Sequence, residues 1–255
     1  MSLSFKKSAA LIFSSENLLP TGIKLLDAIL FSAQKAAAGD KLRTDVAGAS
    51  PDGIAPGAIS TSREGAPPGP CDQQAVAILT RGDLALVAGP QSLARVRKMA
   101  NLLAKTDIVV DGVSAPALAW QETTKRGDIL YRLSPHIVPH VVPRIYGRLS
   151  ACYLRTARSG HALRLYEIAA LYAGRKNPTW EVGIDRLIEI FGLPEAYRNR
   201  PDNLKARVVE AAIDEINAAS PLLVAYEMLP AGAKHARPLF RFFAGHKTAN
   251  ANPVA

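Results

Sequence analysis

The chain is short of the residues that do chemistry on their own. Only two cysteines, Cys71 and Cys152, occur in 255 residues. They stand too far apart for a metal-ligand pair and too few for a disulfide framework, which fits a reducing compartment. Five histidines are present, and no two are separated by a single residue, so a histidine–apolar–histidine metal triplet is excluded. His136 and His140 have the spacing of one helix face, but Pro139 lies between them and no carboxylate accompanies them, so no metal is expected. No glycine-rich loop leads into Lys-Ser/Thr, which argues against nucleotide hydrolysis. The nearest serine–lysine pair, Ser4 and Lys7, belongs to a terminus expected to be mobile. Asp27, Asp83 and Asp185 read as isolated acids on helix surfaces. Neither an enzyme nor a cofactor is expected.

Long apolar runs are missing as well. Ala9-Ala10-Leu11-Ile12-Phe13 is too short for a signal-peptide core, and no stretch is long enough to span a bilayer. A soluble cytoplasmic protein with no membrane partner is the expectation. Acidic residues are the minority charge: 31 Lys+Arg face 22 Asp+Glu, leaving +9. That excess suits a polyanion, nucleic acid before acidic membrane, although a basic protein without such a partner would show the same balance. A hydrophobic share of 48% with 21% charged residues supports ordinary packed cores in one or two domains.

The first half reads as helix, loop, strand, helix, turn, helix, hairpin. Ile23, Leu26, Ile29 and Leu30 give a helix from Thr21 to Ala38, stopped by Gly39. Residues 39–74, rich in Gly, Ala, Ser and Pro, read as a flexible insertion. A short strand follows at Ala75–Leu79, then a helix from Arg81 to Val87 capped by Thr80. After the Gly89-Pro90 turn, a strong helix is expected over Gln91–Leu103, with Leu93, Val96, Ala100 and Leu103 inward and Arg95, Arg97 and Lys98 off that stripe. Ile108–Val110 and Asp128–Leu133 read as strands flanking a polar wing.

The second half repeats that order more clearly. His161–Tyr172 and Ile184–Phe191 are helices, the latter ending at Gly192. A third helix carries Arg198, Arg200, Lys205 and Arg207 at its entry, with Asn203 to cap it or meet a base edge. Val208, Ala211, Ala212 and Ile216 should pack inward. Strands at Leu222–Tyr226 and Pro238–Phe243 flank Lys234, His235 and Arg237, and the chain after 244 reads as a disordered tail. Three helices and a basic hairpin make a winged helix, whose third helix can enter the major groove. Arginine can discriminate guanine there by roughly 1–3 kcal/mol per bidentate pair, and a wing tip suits phosphate or minor-groove contact. A merely solvated first turn or loop would look alike, but cations at a helix N-terminus oppose its dipole, which favours a functional reading.

The run Ala162-Leu163-Arg164-Leu165-Tyr166-Glu167, then Trp180, Asp185-Arg186-Leu187, Phe191-Gly192, Tyr197, Arg207-Val208-Val209 and Asp214-Glu215-Ile216-Asn217, resembles the initiator replication proteins of iteron-containing plasmids. The first half resembles them more weakly, through Leu84, Leu93–Leu103 and Tyr131-Arg132-Leu133-Ser134-Pro135. The insertion departs from the pattern, and Lys205-Ala206-Arg207 replaces a denser arginine cluster.

The resemblance implies an α+β protein of two tandem winged-helix domains, mostly helical with small β-hairpin wings, at 1–150 and 151–255. It implies double-stranded origin repeats as ligand, origin melting, host replication proteins such as a helicase or initiator as partners, repression of the protein's own promoter, and homodimers. The expected DNA-binding residues are Gln91, Arg95 and Lys98 in the first unit. In the second they are Arg198, Arg200, Asn203, Lys205, Arg207, Lys234, His235 and Arg237. A winged-helix transcription regulator would share this surface. A nuclease or relaxase would need the metal site that the sequence lacks.

Overall fold

The computed structural model describes residues 3–14, 20–46, 76–229 and 238–247, with side chains omitted at 14 and 39–46. The chain opens with β1 (Ser4–Ser8), α1 (Ala9–Ser14) and α2 (Pro20–Val46). The N-terminal segment is thus a strand and not a loose end. It pairs antiparallel with β7 (Tyr146–Ser150), Ser4 opposite Ser150 and Ser8 opposite Tyr146. Helix α2 does not stop at Gly39. It runs on to Val46, so the expected insertion begins inside a helix. Glycine merely weakens a helix unless the chain needs a left-handed residue there. Residues 47–75 lie outside the described part.

Next come β2 (Ala77–Leu79), α3 (Arg81–Ala88) and α4 (Leu93–Leu103). Thr80 caps α3 by accepting from the Asp83 N–H, and Ser92 caps α4 by accepting from the Arg95 N–H. Gly89, at φ 76°, makes the intervening turn. Gln91 therefore precedes the third helix and does not begin it. The buried stripe of α4 is Val96, Met99, Ala100 and Leu103, with Met99 in place of the half-buried Leu93. Two hairpins follow. β3 (Asp107–Val110) pairs with β4 (Val113–Pro116), and β5 (Leu118–Thr123) pairs with β6 (Ile129–Leu133). The sequence suggests that Ile108–Val110 and Asp128–Leu133 flank one wing, but Ile108–Val110 pairs with β4 instead. The wing is β5–β6, turning through Thr124–Asp128 with Gly127 at φ 91°.

After β7 come α5 (Ala151–Thr156), α6 (Gly160–Tyr172), β8 (Thr179–Gly183) and α7 (Ile184–Phe191). Gly192 closes α7 in the left-handed conformation, its N–H returning to Ile188 and Glu189. The third helix is continuous from α8 (Pro201–Leu204) through a π-helical segment (Lys205–Glu210) to α9 (Ala211–Ala219). β9 (Leu222–Leu229) and β10 (Leu239–His246) complete the unit. Strand β10 extends past the point where a tail was expected.

The two three-stranded sheets have one plan: β2-β6-β5 in the first half and β8-β10-β9 in the second. In each, the strand after the first helix pairs with the last strand of the hairpin. The strand β8 was not read from the sequence, where only Trp180 was marked. Helix α6 is the common buttress. Every residue from Ala162 to Leu171 is buried, because β7, α9, β10 and α1 cover it on different sides. An α-helix apolar around most of its circumference is a core helix.

Candidate nucleic-acid interface

The third helix of the second half divides its residues cleanly. Leu204, Val208, Val209, Ala212, Ile213 and Ile216 are buried. Arg200, Asn203, Ala206, Arg207, Ala211 and Asp214 are exposed along the other side. Ala211, expected to pack inward, is on the outer face. The π segment explains that shift. One residue too many per turn rotates all that follows, so the inward stripe moves to Val208-Val209 and then Ala212-Ile213. Lys205 Nζ lies 4.0 Å from Glu210 Oε1, five positions on, as that wider turn allows. Exposed Ala206 and Ala211 were missed because small residues carry no signal of their own. Between charged neighbours they leave room for close approach, and an alanine methyl can contact a thymine methyl.

The arginines expected at the helix entry separate into two kinds. Arg200 and Arg207 are exposed and lie in none of the ion pairs among the described residues. Arg198 sits before the helix in a 3₁₀ turn, its Nε 3.1 Å from Glu195 and 3.5 Å from Asp185. Asp185 is thus an anchor for this turn and not an isolated acid. Asn203 is exposed inside α8, while Arg200 holds the capping position. On the hairpin, Arg241 bridges Glu181 and Glu227 on the two neighbouring strands at 2.6 and 2.5 Å, which ties the sheet together. Lys234, His235 and Arg237 lie outside the described residues.

In the first half, Arg95, Arg97 and Lys98 are exposed on α4, with Ala94 and Asn101. Gln91 plays a structural part. Its Nε2 donates to the Ala88 carbonyl at 2.8 Å, satisfying the end of α3. Its Oε1 is buried without a partner. Exposed Lys125 and Arg126 occupy the tip of the β5–β6 wing. The sequence marks them as part of a polar wing but not as contact residues. A cleft of about 160 Å³ lies between α4 and the α5–α6 connection, lined among others by Lys24, Gln91, Arg95, Arg158 and Ser159. Burial holds the Lys24 ammonium below its ordinary range, and it donates to the Ala157 carbonyl at 2.7 Å. Glu215 fixes the Arg158-Ser159 backbone that lines the cleft, accepting from their N–H groups at 2.7 and 3.2 Å.

Asp27 and Asp83, which the sequence suggests are surface acids, are buried. Asp27 and Glu167 flank Lys7, all three at 0% exposure, with Lys7 Nζ 2.8 Å from Asp27 and 2.6 Å from Glu167. Asp83 is largely buried and pairs with Lys35 at 3.0 Å. His140 Nε2 lies 3.3 Å from Asp111.

A helix, a strand, two further helices and a hairpin, with the sheet ordered β8-β10-β9, define a winged helix. Residues 183–242 match the family model for the initiator Rep protein, WH2. A crystal structure of Pi initiator protein in complex with iteron DNA superposes with a TM-score of 0.66 at 14% identity, over 96% of this chain and 98% of that one. No curated protein sequence matches the chain. Residues 183–242 are therefore similar to the second winged helix of initiator Rep proteins, and the superposition shows that the chain shares the fold of the Pi initiator protein. Among the described residues no helix is long and apolar enough to cross a membrane.

Proposed function

We propose that the protein initiates plasmid replication by binding repeated duplex sites at an origin through two winged-helix units, 1–150 and 151–255. The observation that carries this reading is the repeated plan of the two halves. Each contains a three-stranded sheet of one order, and each presents exposed cations on its third helix. Two such helices held by one core would read successive major-groove faces about one helical turn apart.

In the second unit Arg200, Asn203, Lys205 and Arg207 face the bases or their phosphates, and Lys234, His235 and Arg237 meet the flanking backbone. In the first, Arg95 and Lys98 do so, joined by Lys125 and Arg126 of the wing. Gln91 acts by fixing the turn before α4. Binding energy, not nucleotide hydrolysis, drives strand opening, and host replication factors join the opened origin. Homodimers repress the protein's own promoter.

The test is footprinting and gel-shift titration on DNA flanking the gene. Tandem protected repeats are expected, with binding lost in the double variant Lys205→Ala, Arg207→Ala. One short protected palindrome, or unchanged affinity of the variant at moderate salt, would overturn the proposal.

A further inference from the structure

A second basic surface lies apart from all those residues. In the β1–β7 ladder Lys6 stands directly opposite Arg148, and like charges so placed weaken a sheet. Lys6 Nζ lies 4.4 Å from the centre of the Tyr146 ring. Chiefly through its hydrogen bond, with help from Arg148, it holds the Tyr146 hydroxyl below the ordinary phenol range. Arg144, Arg148 and Arg175 are exposed and, with Tyr146, His246 and Ile145, rim a groove of about 400 Å³ floored by Ala170 and Leu171. Elsewhere surface arginines such as Arg186, Arg198 and Arg241 are matched by carboxylates. Lys6, Arg144, Arg148 and Arg175 are in none of the ion pairs among the described residues.

The register of β9 and β10 gives the direction of this groove. Leu229 pairs with Leu239 at the end where the two strands are joined, and Leu222 pairs with His246 at the other. His246 borders the groove, so the groove is at the end of the sheet opposite the wing.

We propose that this groove binds single-stranded DNA. Arg144, Arg148 and Arg175 would hold phosphates, and Tyr146 and Ile145 would pack against bases. The shape favours an unpaired strand: a concave site of about 400 Å³, within the range of about 300–1,000 Å³ typical of ligand clefts, can take in a single base, whereas the paired bases of a duplex could not enter it. Unneutralised cations beside an aromatic ring and an apolar wall are the elements of sequence-tolerant single-strand binding. Ile145, 65% exposed, is then an apolar contact and not a stranded core residue. The inference rests on the initiator reading and deepens it, since a strand held at the back of a duplex-bound protein cannot re-pair.

The experiment is fluorescence anisotropy of the full chain with labelled dT15, beside the duplex-repeat titration. Arg148→Glu with Arg175→Glu should weaken dT15 binding tenfold or more and leave duplex affinity within twofold. The milder set R144Q, R148Q and R175Q, checked by circular dichroism for folding, should lower the salt slope of dT15 binding by about 0.7 per lost phosphate. Tyr146→Ala should weaken dT15 severalfold, and Arg207→Ala should leave it unchanged. No dT15 binding at low salt, unchanged binding in the glutamine set, or an equal loss in Arg207→Ala would each overturn the proposal. Equal displacement of dT15 by a glutamate-rich peptide would assign the groove to an acidic protein segment instead. If duplex-repeat binding fails while the dT15 results hold, the initiator reading falls and the groove assignment stands.

Discussion

Lys7 Nζ donates to Glu167 Oε1 at 2.6 Å across 160 residues of sequence. It is fully buried, and it also lies 2.8 Å from Asp27. Asp27 belongs to α2, the first long helix of the first half, and Glu167 to α6, the first long helix of the second. One ammonium on β1 therefore joins the two halves at their centre. The desolvation of three charges is severe, so the arrangement does more to fix geometry than to add stability.

Truncating that cation should be costly. Lys7→Met leaves two buried carboxylates facing each other, and removal of one partner from a buried ion pair costs about 3–5 kcal/mol. Replacing all three groups together, as K7M, D27L and E167M, should recover most of the loss, since an apolar substitute for a buried ionic set is often neutral or stabilising. Urea denaturation of the parent, Lys7→Met and the triple variant decides it. A loss under about 1 kcal/mol in Lys7→Met would show that the lysine is not the centre of the network.

The same cluster makes stability depend on pH. Burial first, then the neighbouring Glu167 charge, pushes the Asp27 carboxyl up from 3.8 to about 7, against the pull of Lys7. In the unfolded chain Asp27 loses its proton near 3.8, so between that value and about 7 the folded chain holds more proton than the unfolded one. Its contribution to stability is therefore greatest below that window, declines as pH rises through it, and is level above. Denaturation midpoints measured between pH 5 and 8 should show that decline, and Asp27→Asn should remove it. An identical pH profile in parent and variant would contradict the assignment.

Gly147 sits where β7 crosses α6. A Cβ built there would lie 3.0 Å from the Leu171 nitrogen and 3.2 Å from the Ala170 carbonyl carbon, both helix backbone that has nowhere to move. Gly147→Ala should therefore destabilise by about 1–3 kcal/mol, the usual cost of overpacking. Gly174→Ala, where nothing lies within 4 Å, is the control. Thermal unfolding of the pair checks it, and equal melting temperatures would remove the close-packing explanation.

The motifs legible in the sequence prove to be mostly architecture. Within the run from Ala162 to Glu167, Tyr166 accepts from the Ser150 N–H at 2.8 Å, and Glu167 receives Lys7. In Glu215-Ile216-Asn217, the glutamate accepts from the backbone just before α6 and the isoleucine is buried. The asparagine makes two hydrogen bonds with the Val224 backbone, at 2.7 and 2.8 Å. Such residues are conspicuous in sequence because their chemistry suits one position.

The helical periods, the caps Thr80 and Gly192, and the last hairpin were equally readable, being local. What escaped depends on distant partners. β1 needs β7, β8 needs β10, and Asp27 looks exposed until Lys7 arrives from another strand. The π segment also escaped, because a helix that gains a residue per turn keeps an ordinary composition. Only the first strand of the first wing escapes the sequence, since Ile108–Val110 has the stronger strand composition, yet Leu118–Thr123 has the register that β6 accepts.

The cations on and just before the third helix should not contribute equally to duplex binding. Arg207 is exposed in the π segment and in no ion pair among the described residues. Arg198 is held by Glu195 and Asp185, and pulling it onto a phosphate would strand two carboxylates beside DNA. Arg207→Ala should weaken binding to the repeats tenfold or more. If Arg207 meets a phosphate, its removal also lowers the slope of log affinity against log salt by about 0.9. If it reads a base, affinity falls with the slope kept and discrimination at one base pair relaxed. Arg198→Ala should stay within threefold of the parent with an unchanged slope. Gel-shift titrations at three salt concentrations separate these outcomes, and a larger loss for Arg198 than for Arg207 would move the interface toward the start of the helix and away from its π turn.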